Sequence, residues 1–287
     1  QSYSPTYLHR CLTMWLFRRI LSGEKLVAKE KNKDSVGRTF LVVFILCLVC
    51  SVVVAGSAVG LKSKQEEQKL LDKQRNILDV AGLLVPKMSA SEVLKVYDTR
   101  IKAKIVNFKT GELTDSKGDF DLNSELRSDE TSIALSPEED IAKIRRRANT
   151  AEVYFVLDDQ GKTQEVVLPV YGSGLWSVMY AFVAVDIDGV TAKGITYYSH
   201  GETPGLGGEV DNPQWKAQWK GKRLLNEEGV PAIKIVRGGA SDSPYGIDGL
   251  SGATLTSNGV QHMFDFWLGD KGFGPFLKKV REGEING

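Results

Sequence analysis

From Phe40 to Leu61 the chain runs FLVVFILCLVCSVVVAGSAVGL without one charged side chain, and no other feature restricts its fold as much. At about 1.5 Å per residue a helix of these 22 residues reaches roughly 33 Å, enough to cross the hydrocarbon core of a bilayer. Only a helix lets such a segment satisfy all its backbone polar groups from within. A cleavable signal peptide is the rival reading, because Ala55, Gly56 and Ser57 are small enough for a processing site. The run exceeds the roughly 7 to 15 residues of a signal core, so a retained anchor is expected.

Eight basic residues (Arg10, Arg18, Arg19, Lys25, Lys29, Lys31, Lys33, Arg38) precede the span against three acidic ones (Glu24, Glu30, Asp34). The positive-inside rule then places the N-terminus in the cytoplasm and the bulk of the chain outside. The expected organisation is a cytoplasmic segment over 1–39, a transmembrane helix over 40–61, a juxtamembrane helix or linker over 62–88 and an extracytoplasmic domain over 89–287. Within the first segment CLTMWLFRRILS is apolar but too short to span. It reads as an interfacial helix, or as part of a leader of about 26 residues that is non-native or lies upstream of the true start.

All three cysteines, Cys11, Cys47 and Cys50, lie before residue 51, so no disulfide can hold the outer domain together. Cys47 and Cys50 share one helix face, but two thiols alone cannot close a tetrahedral metal site, and small packing residues are the expected role. With 42% hydrophobic residues the chain can bury a substantial core. Its 37 basic residues nearly balance its 36 acidic ones, which gives no sign of a nucleic-acid partner.

After the anchor, Leu70, Leu71, Ile77, Leu78 and Ala81 make the apolar stripe of a helix. Ser89 with Glu92, and Ser136-Pro137 with Glu139, have capping-box spacing and predict helices over VLKVYDTRIKA and DIAKIRRRA, with a polar, loop-rich stretch over 109–135 between them. From Ala151 the runs AEVYFVL, KTQEVVLPVY, SVMYAFVAVDI and VTAKGITYYS are β-rich and separated by turn residues, which predicts antiparallel hairpins. Asp211 is expected to cap a short helix holding Trp215 and Trp219, and GVQHMFDFWL to form a last amphipathic helix starting near Ser257, with His262 in packing. The fold class is therefore α+β: one transmembrane helix, then a domain with an antiparallel sheet and flanking helices.

Just ahead of that last helix lies Asp248-Gly249-Leu250-Ser251-Gly252-Ala253-Thr254-Leu255-Thr256-Ser257. Small residues and hydroxyls before a helix N-terminus suit the approach of an anion to backbone amides. A capped loop without function has the same composition. The string D-x-x-S-G-A-T resembles the motif of proteins to which a flavin transferase attaches FMN, taken from FAD, as a phosphoester on the final threonine. That resemblance makes Thr254 the acceptor and puts Asp248, Ser251, Gly252 and Ala253 at the cofactor site; Thr256 and Ser257 are alternative hydroxyls. No histidine or lysine adjoins Thr254 in sequence, so activation is expected from the transferase, with Mg²⁺. A second loop, Ser199-His200-Gly201-Glu202-Thr203-Pro204-Gly205-Leu206-Gly207-Gly208, resembles the other flavin-contacting loop of such proteins, with Glu202, Thr203 and Leu206 as contacts. His200 is expected to be a hydrogen-bonding residue, and Trp176 a candidate aromatic neighbour of the flavin.

LLDKQRNILDVAGL, GLWSVMYAF, HGETPGLGGEVDNPQW and DGLSGATLTSNGVQ together resemble the C subunits of the bacterial Na⁺-translocating NADH:quinone oxidoreductases, from about Ala28 to the C-terminus. The resemblance implies an electron-relay protein with covalent FMN. It would sit in the inner membrane among the A, B, D, E and F subunits, its large domain periplasmic, and pass electrons towards the FMN of the B subunit, then riboflavin and quinone. It implies no NADH site, and no Rossmann-type G-x-G-x-x-G is present. The G subunit of the RNF electron-transport complex, or a stand-alone extracytoplasmic flavin protein, would share the motif. A serine hydrolase is the unlike-class alternative, because Gly249-Leu250-Ser251-Gly252-Ala253 nearly matches a nucleophile elbow.

Overall fold

The computed structural model describes residues 35–284, so the interfacial-helix reading and Cys11 lie outside the described residues. The chain divides into two compact units, Gln1–Lys62 and Ser63–Gly287. In the first, the uncharged run belongs to helix α1 (Val36–Val80), which is long and apolar enough to cross a membrane. The side chains of the uncharged run are exposed, including the free thiols of Cys47 and Cys50. The hydroxyls of Ser51 and Ser57 donate back to the Leu48 and Val53 carbonyls at 2.8 and 2.7 Å, so neither is left unpaired in an apolar surround. The juxtamembrane helix expected after the span is the continuation of α1.

The second unit is built on a six-stranded antiparallel sheet. The chain enters through the last turns of α1 and α2 (Ala90–Arg100), where Ser89 and Glu92 form the expected reciprocal capping box. It continues through β1 (Ile101–Asn107), β2 (Leu113–Asp115), the short α3 (Leu122–Glu125), β3 (Ser132–Ala134), β4 (Arg146–Ala148), β5 (Thr150–Leu157), β6 (Thr163–Ser173), β7 (Val178–Asp186) and β8 (Ala192–Ser199). The order across the main sheet is β2-β1-β5-β6-β7-β8. After it come α4 (Pro213–Ala217), β9 (Lys234–Val236), β10 (Gly246–Asp248), α5 (Thr254–Trp267) and α6 (Gly274–Arg281). β9 and β10 form a separate parallel pair that the hairpin pattern does not announce.

Both faces of the sheet are covered, which is why β5 and β7 read as nearly continuous apolar runs rather than alternating ones. On one face Ile77 and Leu78 of α1 and Val93 of α2 pack with Tyr154, Val167 and Phe182. On the other Trp219, Phe264, Trp267 and Phe276 pack with Val153, Leu168 and Val183. α5 lies directly on β6: the Trp267 indole donates to the Tyr171 carbonyl at 2.6 Å, and a Cβ on Gly259 would overlap the Ser173 carbonyl. Glu152, a charged group drawn into the first layer, accepts from Lys73 (2.7 Å), Ser116 (2.6 Å) and Tyr154 (2.7 Å). Burial opposes its ionisation, but Lys73 and the two hydroxyls outweigh that and hold it below the usual carboxylate range.

Three local expectations fail for identifiable reasons. The helix predicted over DIAKIRRRA does not form: the Asp140 carboxylate takes the Ile144 and Arg145 amides at 2.7 Å each, replacing the helical ladder. Lys143 and Arg145 there have φ of 53° and 66°, and Arg146–Ala148 pairs instead with Ser132–Ala134. The helix after Ser89 ends at Arg100, and β-branched Ile101 opens β1 where the sequence pattern carries the helix on through RIKA. Asn212, not Asp211, caps α4, accepting from the Gln214 amide at 2.9 Å ahead of Pro213; Trp219 lies beyond that helix, though both tryptophans are buried.

Candidate functional site

α5 begins at Thr254, three residues earlier than its hydrophobic pattern suggests. Its N-cap is Ala253, which offers no side-chain acceptor, so the first-turn amides stay available to an anion. Gly252, at φ 72°, makes the turn into the helix. Three hydroxyls lie on the first turn of this helix, and among the described residues one of them has no partner. Thr256 is buried and donates to Glu202 Oε2 at 2.5 Å. Ser257 is buried and accepts the Leu250 amide at 2.9 Å. Thr254 is exposed, and its hydroxyl has no partner among the described residues.

Glu202 is the knot of the site. Its Oε1 accepts the amides of Trp176 (2.9 Å) and Ser177 (3.3 Å), and its Oε2 accepts the Leu175 amide (3.2 Å) and the Thr256 hydroxyl. One buried carboxylate thus joins the loop before β7, the loop after β8 and the first turn of α5. Burial opposes its charge, but the Thr256 hydroxyl and the three amides more than offset that, and Glu202 ionises below the usual carboxylate range. A Cβ on Gly174 or Gly207 would collide with this carboxylate, which explains glycine at both positions.

With Glu202 turned inward, the outward surface beside Thr254 is apolar. Leu175, Trp176, Leu206 and Leu255 are all exposed, Trp176 at 71%, and the Leu206 side chain reaches Gly252. Exposed apolar groups gathered at one place mark a contact surface. On the other side of Thr254 a cleft of about 500 Å³ is lined by Ile235, Arg237, Gly238, Ser251, Gly252 and Asn258. Arg237, Leu175 and Leu255 are the residues that sequence reasoning missed. Two of them adjoin residues singled out there, and an arginine before Gly238-Gly239 was a further signal.

The remaining candidates find their places. Thr203 is exposed, and its carbonyl closes the loop by accepting the Leu206 and Gly208 amides at 3.1 and 2.9 Å. Asp248 is half-buried and bonds inward, and Ala253 is buried. His200 meets Asp211 Oδ2 through Nε2 at 2.7 Å and accepts the Glu202 amide at 3.2 Å, the hydrogen-bonding role expected. His262, expected in packing, is exposed, because the buried face of α5 is made by Val260, Met263, Phe264 and Trp267. Ser251 has no hydrogen bond to a histidine among the described residues, and it follows a short parallel pair rather than a central strand of the main sheet.

Residues 174–269, which contain all three segments of this site, match the FMN-binding domain family. The chain is 62% identical over 259 residues to the C subunit of the Na⁺-translocating NADH-quinone reductase of Yersinia pestis, covering 90% of this chain and 97% of that one. It belongs to the family of these C subunits. The C subunit of Vibrio alginolyticus is 56% identical over 257 residues, covering 89% and 99% of the two chains. The crystal structure of Shewanella oneidensis NqrC superposes with a TM-score of 0.70 at 40% identity, over 75% of this chain and 99% of that one. That of the Parabacteroides distasonis protein gives 0.56 at 26%, over 76% and 96%. The chain is accordingly one component of an NADH-quinone reductase, an oxidoreductase complex, and its fold is that of the C subunits: a long apolar helix, then an antiparallel sheet with helices.

Proposed function

We propose that this chain carries one FMN esterified through its phosphate to the hydroxyl of Thr254. The observation that carries the reading is the contrast among three neighbouring hydroxyls, of which Thr256 and Ser257 are tied into the fold and Thr254 faces outward with no partner among the described residues. The surroundings suit both ends of such a group. Uncapped amides at the start of α5 and the Arg237 guanidinium would hold a phosphate, while Leu175, Trp176, Leu206 and Leu255 would offer an apolar surface to a flat ring. Glu202 holds the three segments in register and does so from inside, so its contribution is to position its neighbours. No base adjoins the Thr254 hydroxyl among the described residues, in keeping with activation by a separate flavin transferase.

When bound, the flavin supplies electron carriage, and the chain relays electrons towards the FMN of the B subunit, riboflavin and quinone. The partners are then the A, B, D, E and F subunits. α1 anchors the chain in the bacterial inner membrane as a single pass, with the basic N-terminal segment over 1–39 cytoplasmic and the domain over 89–287 periplasmic.

The test is in-gel flavin fluorescence of the denatured protein after co-expression with a flavin transferase and export. Wild type is expected to fluoresce and Thr254→Val to be dark. A dark wild type beside a fluorescent control protein refutes the covalent reading.

A further inference from the structure

Asp248 opens the flavinylation-type motif, yet all its hydrogen bonds lead into the fold. Its Oδ1 accepts the Ala240 amide at 3.0 Å, its own amide donates to Gln218 Oε1 at 2.9 Å, and its carbonyl accepts the Trp215 indole at 2.7 Å. The segment it holds is the turn after β9. There Gly238 and Gly239 take φ of 74° and 76°, and the Val236 carbonyl accepts the amides of Gly238 (3.0 Å) and Gly249 (2.7 Å). Arg237 lies at the centre of this tightly tied turn. It is exposed, has no ion pair or hydrogen bond among the described residues, and lines the same cleft as Thr254. A guanidinium is the side chain best shaped for phosphate oxygens, and one presented by a fixed turn loses little freedom on binding.

We propose that Arg237 binds the phosphodiester formed on Thr254, and that Asp248 is a positioning residue which acts by holding the turn that presents Arg237. The inference rests on the Thr254 reading. In the transfer the Thr254 Oγ1 to phosphorus bond forms while the phosphoanhydride bridge of FAD breaks. AMP leaves with the electron pair, and the hydroxyl proton passes to a base of the transferase. Arg237 neutralises the non-bridging oxygens of the phosphorus that Thr254 attacks and stays on them in the product.

The experiment measures the initial rate at which the full-length chain becomes fluorescent with limiting flavin transferase, FAD and Mg²⁺, and then the ³¹P shift of the modified protein. Arg237→Gln is expected to slow modification about tenfold, the loss of one charge-assisted contact, and to displace the ³¹P resonance. Arg237→Lys, which keeps the charge, should stay within about threefold of wild type. Asp248→Asn retains an oxygen for the Ala240 amide and should modify at close to the wild-type rate. Asp248→Ala frees the turn and should fall to the Arg237→Gln rate, with the double variant no slower than either. Wild-type rate and unchanged ³¹P shift in Arg237→Gln, with Thr254→Val dark, overturn the assignment of Arg237 and leave the attachment site standing. An Asp248→Asn chain as slow as Asp248→Ala shows that the carboxylate acts directly and overturns the positioning role. A fluorescent Thr254→Val removes the attachment site, and this inference with it.

Discussion

Replacing Glu202 by alanine should destabilise the second unit through the four donors it leaves behind. The Thr256 hydroxyl is buried, and a hydrogen bond from it to a charged acceptor is worth roughly 1.5–3 kcal/mol. The amides of Leu175, Trp176 and Ser177 lie on a loop that water reaches, so each counts for only about 0.5 kcal/mol. The expected loss is therefore about 3–4 kcal/mol at pH 7. Glu202→Gln keeps an oxygen for Trp176 and Ser177, and Thr256 can rotate to accept from the new amide, which leaves only the Leu175 amide facing a donor. About 1–2 kcal/mol should be lost. Because the folded carboxyl ionises below its unfolded value, its stabilisation is present above about pH 4.5 and disappears as the pH falls through the lower folded value. Urea unfolding of the full-length protein in detergent, followed by near-UV circular dichroism at pH 7 and pH 3, measures both effects. A loss under about 1 kcal/mol at pH 7 refutes the knot, as does a gap between wild type and alanine variant that fails to narrow at pH 3.

Two further substitutions probe the sheet. Lys73→Met strands the Glu152 carboxylate with only Ser116 and Tyr154 as donors. Since Lys73 is partly solvated, about 1–2 kcal/mol should be lost at pH 7 and regained once acid protonates Glu152, as urea titrations across that range would read. Glu165 presents the opposite case: burial pushes its carboxyl up to about 7, against the pull of Lys193 and with help from Asp186. Its folded value lies above its unfolded one, so wild type loses stability as the pH rises from about 4.5 to 7. Glu165→Gln should flatten that slope and be the more stable protein at pH 8 by on the order of 2–3 kcal/mol; parallel melting curves at pH 5 and 8 would contradict it.

The parts of the fold legible in the sequence were those with a local cause. A charge-free run, a reciprocal Ser89–Glu92 cap and four β-rich runs separated by turns each carry their own signal. The helix predicted over DIAKIRRRA failed because one carboxylate, Asp140, could serve either a helix or a turn, and pairing with β3 decided it. The parallel pairing of β9 with β10 brings together strands of three residues each, too short for a periodic pattern to show. At the candidate site the motif pointed to Thr254 as acceptor, but the chemistry of the residues alone could not rank it against Thr256 and Ser257. That ranking depends on which hydroxyls meet Glu202 and the Leu250 amide across the tertiary fold. Glu202 was legible as important but not as inward-facing, since its partners lie in segments far apart in the chain. Arg237 carried only the weak signal of an arginine before two glycines, since the cleft it shares with Thr254 is formed by the tertiary fold.

The packing of α5 against β6 separates the part of the chain that is recognisable from the part that can fold. The family-matching segment begins at residue 174, just after β6 ends at Ser173. A fragment cut there would retain every residue of the site and lose β1, β5 and β6. It would leave β7 with an open edge along all of Val178–Asp186 and the Trp267 indole without its carbonyl. An exposed strand edge of that length invites association with other chains. A fragment of this protein meant to keep the site folded would therefore have to begin upstream of β1, however short the segment that carries Thr254.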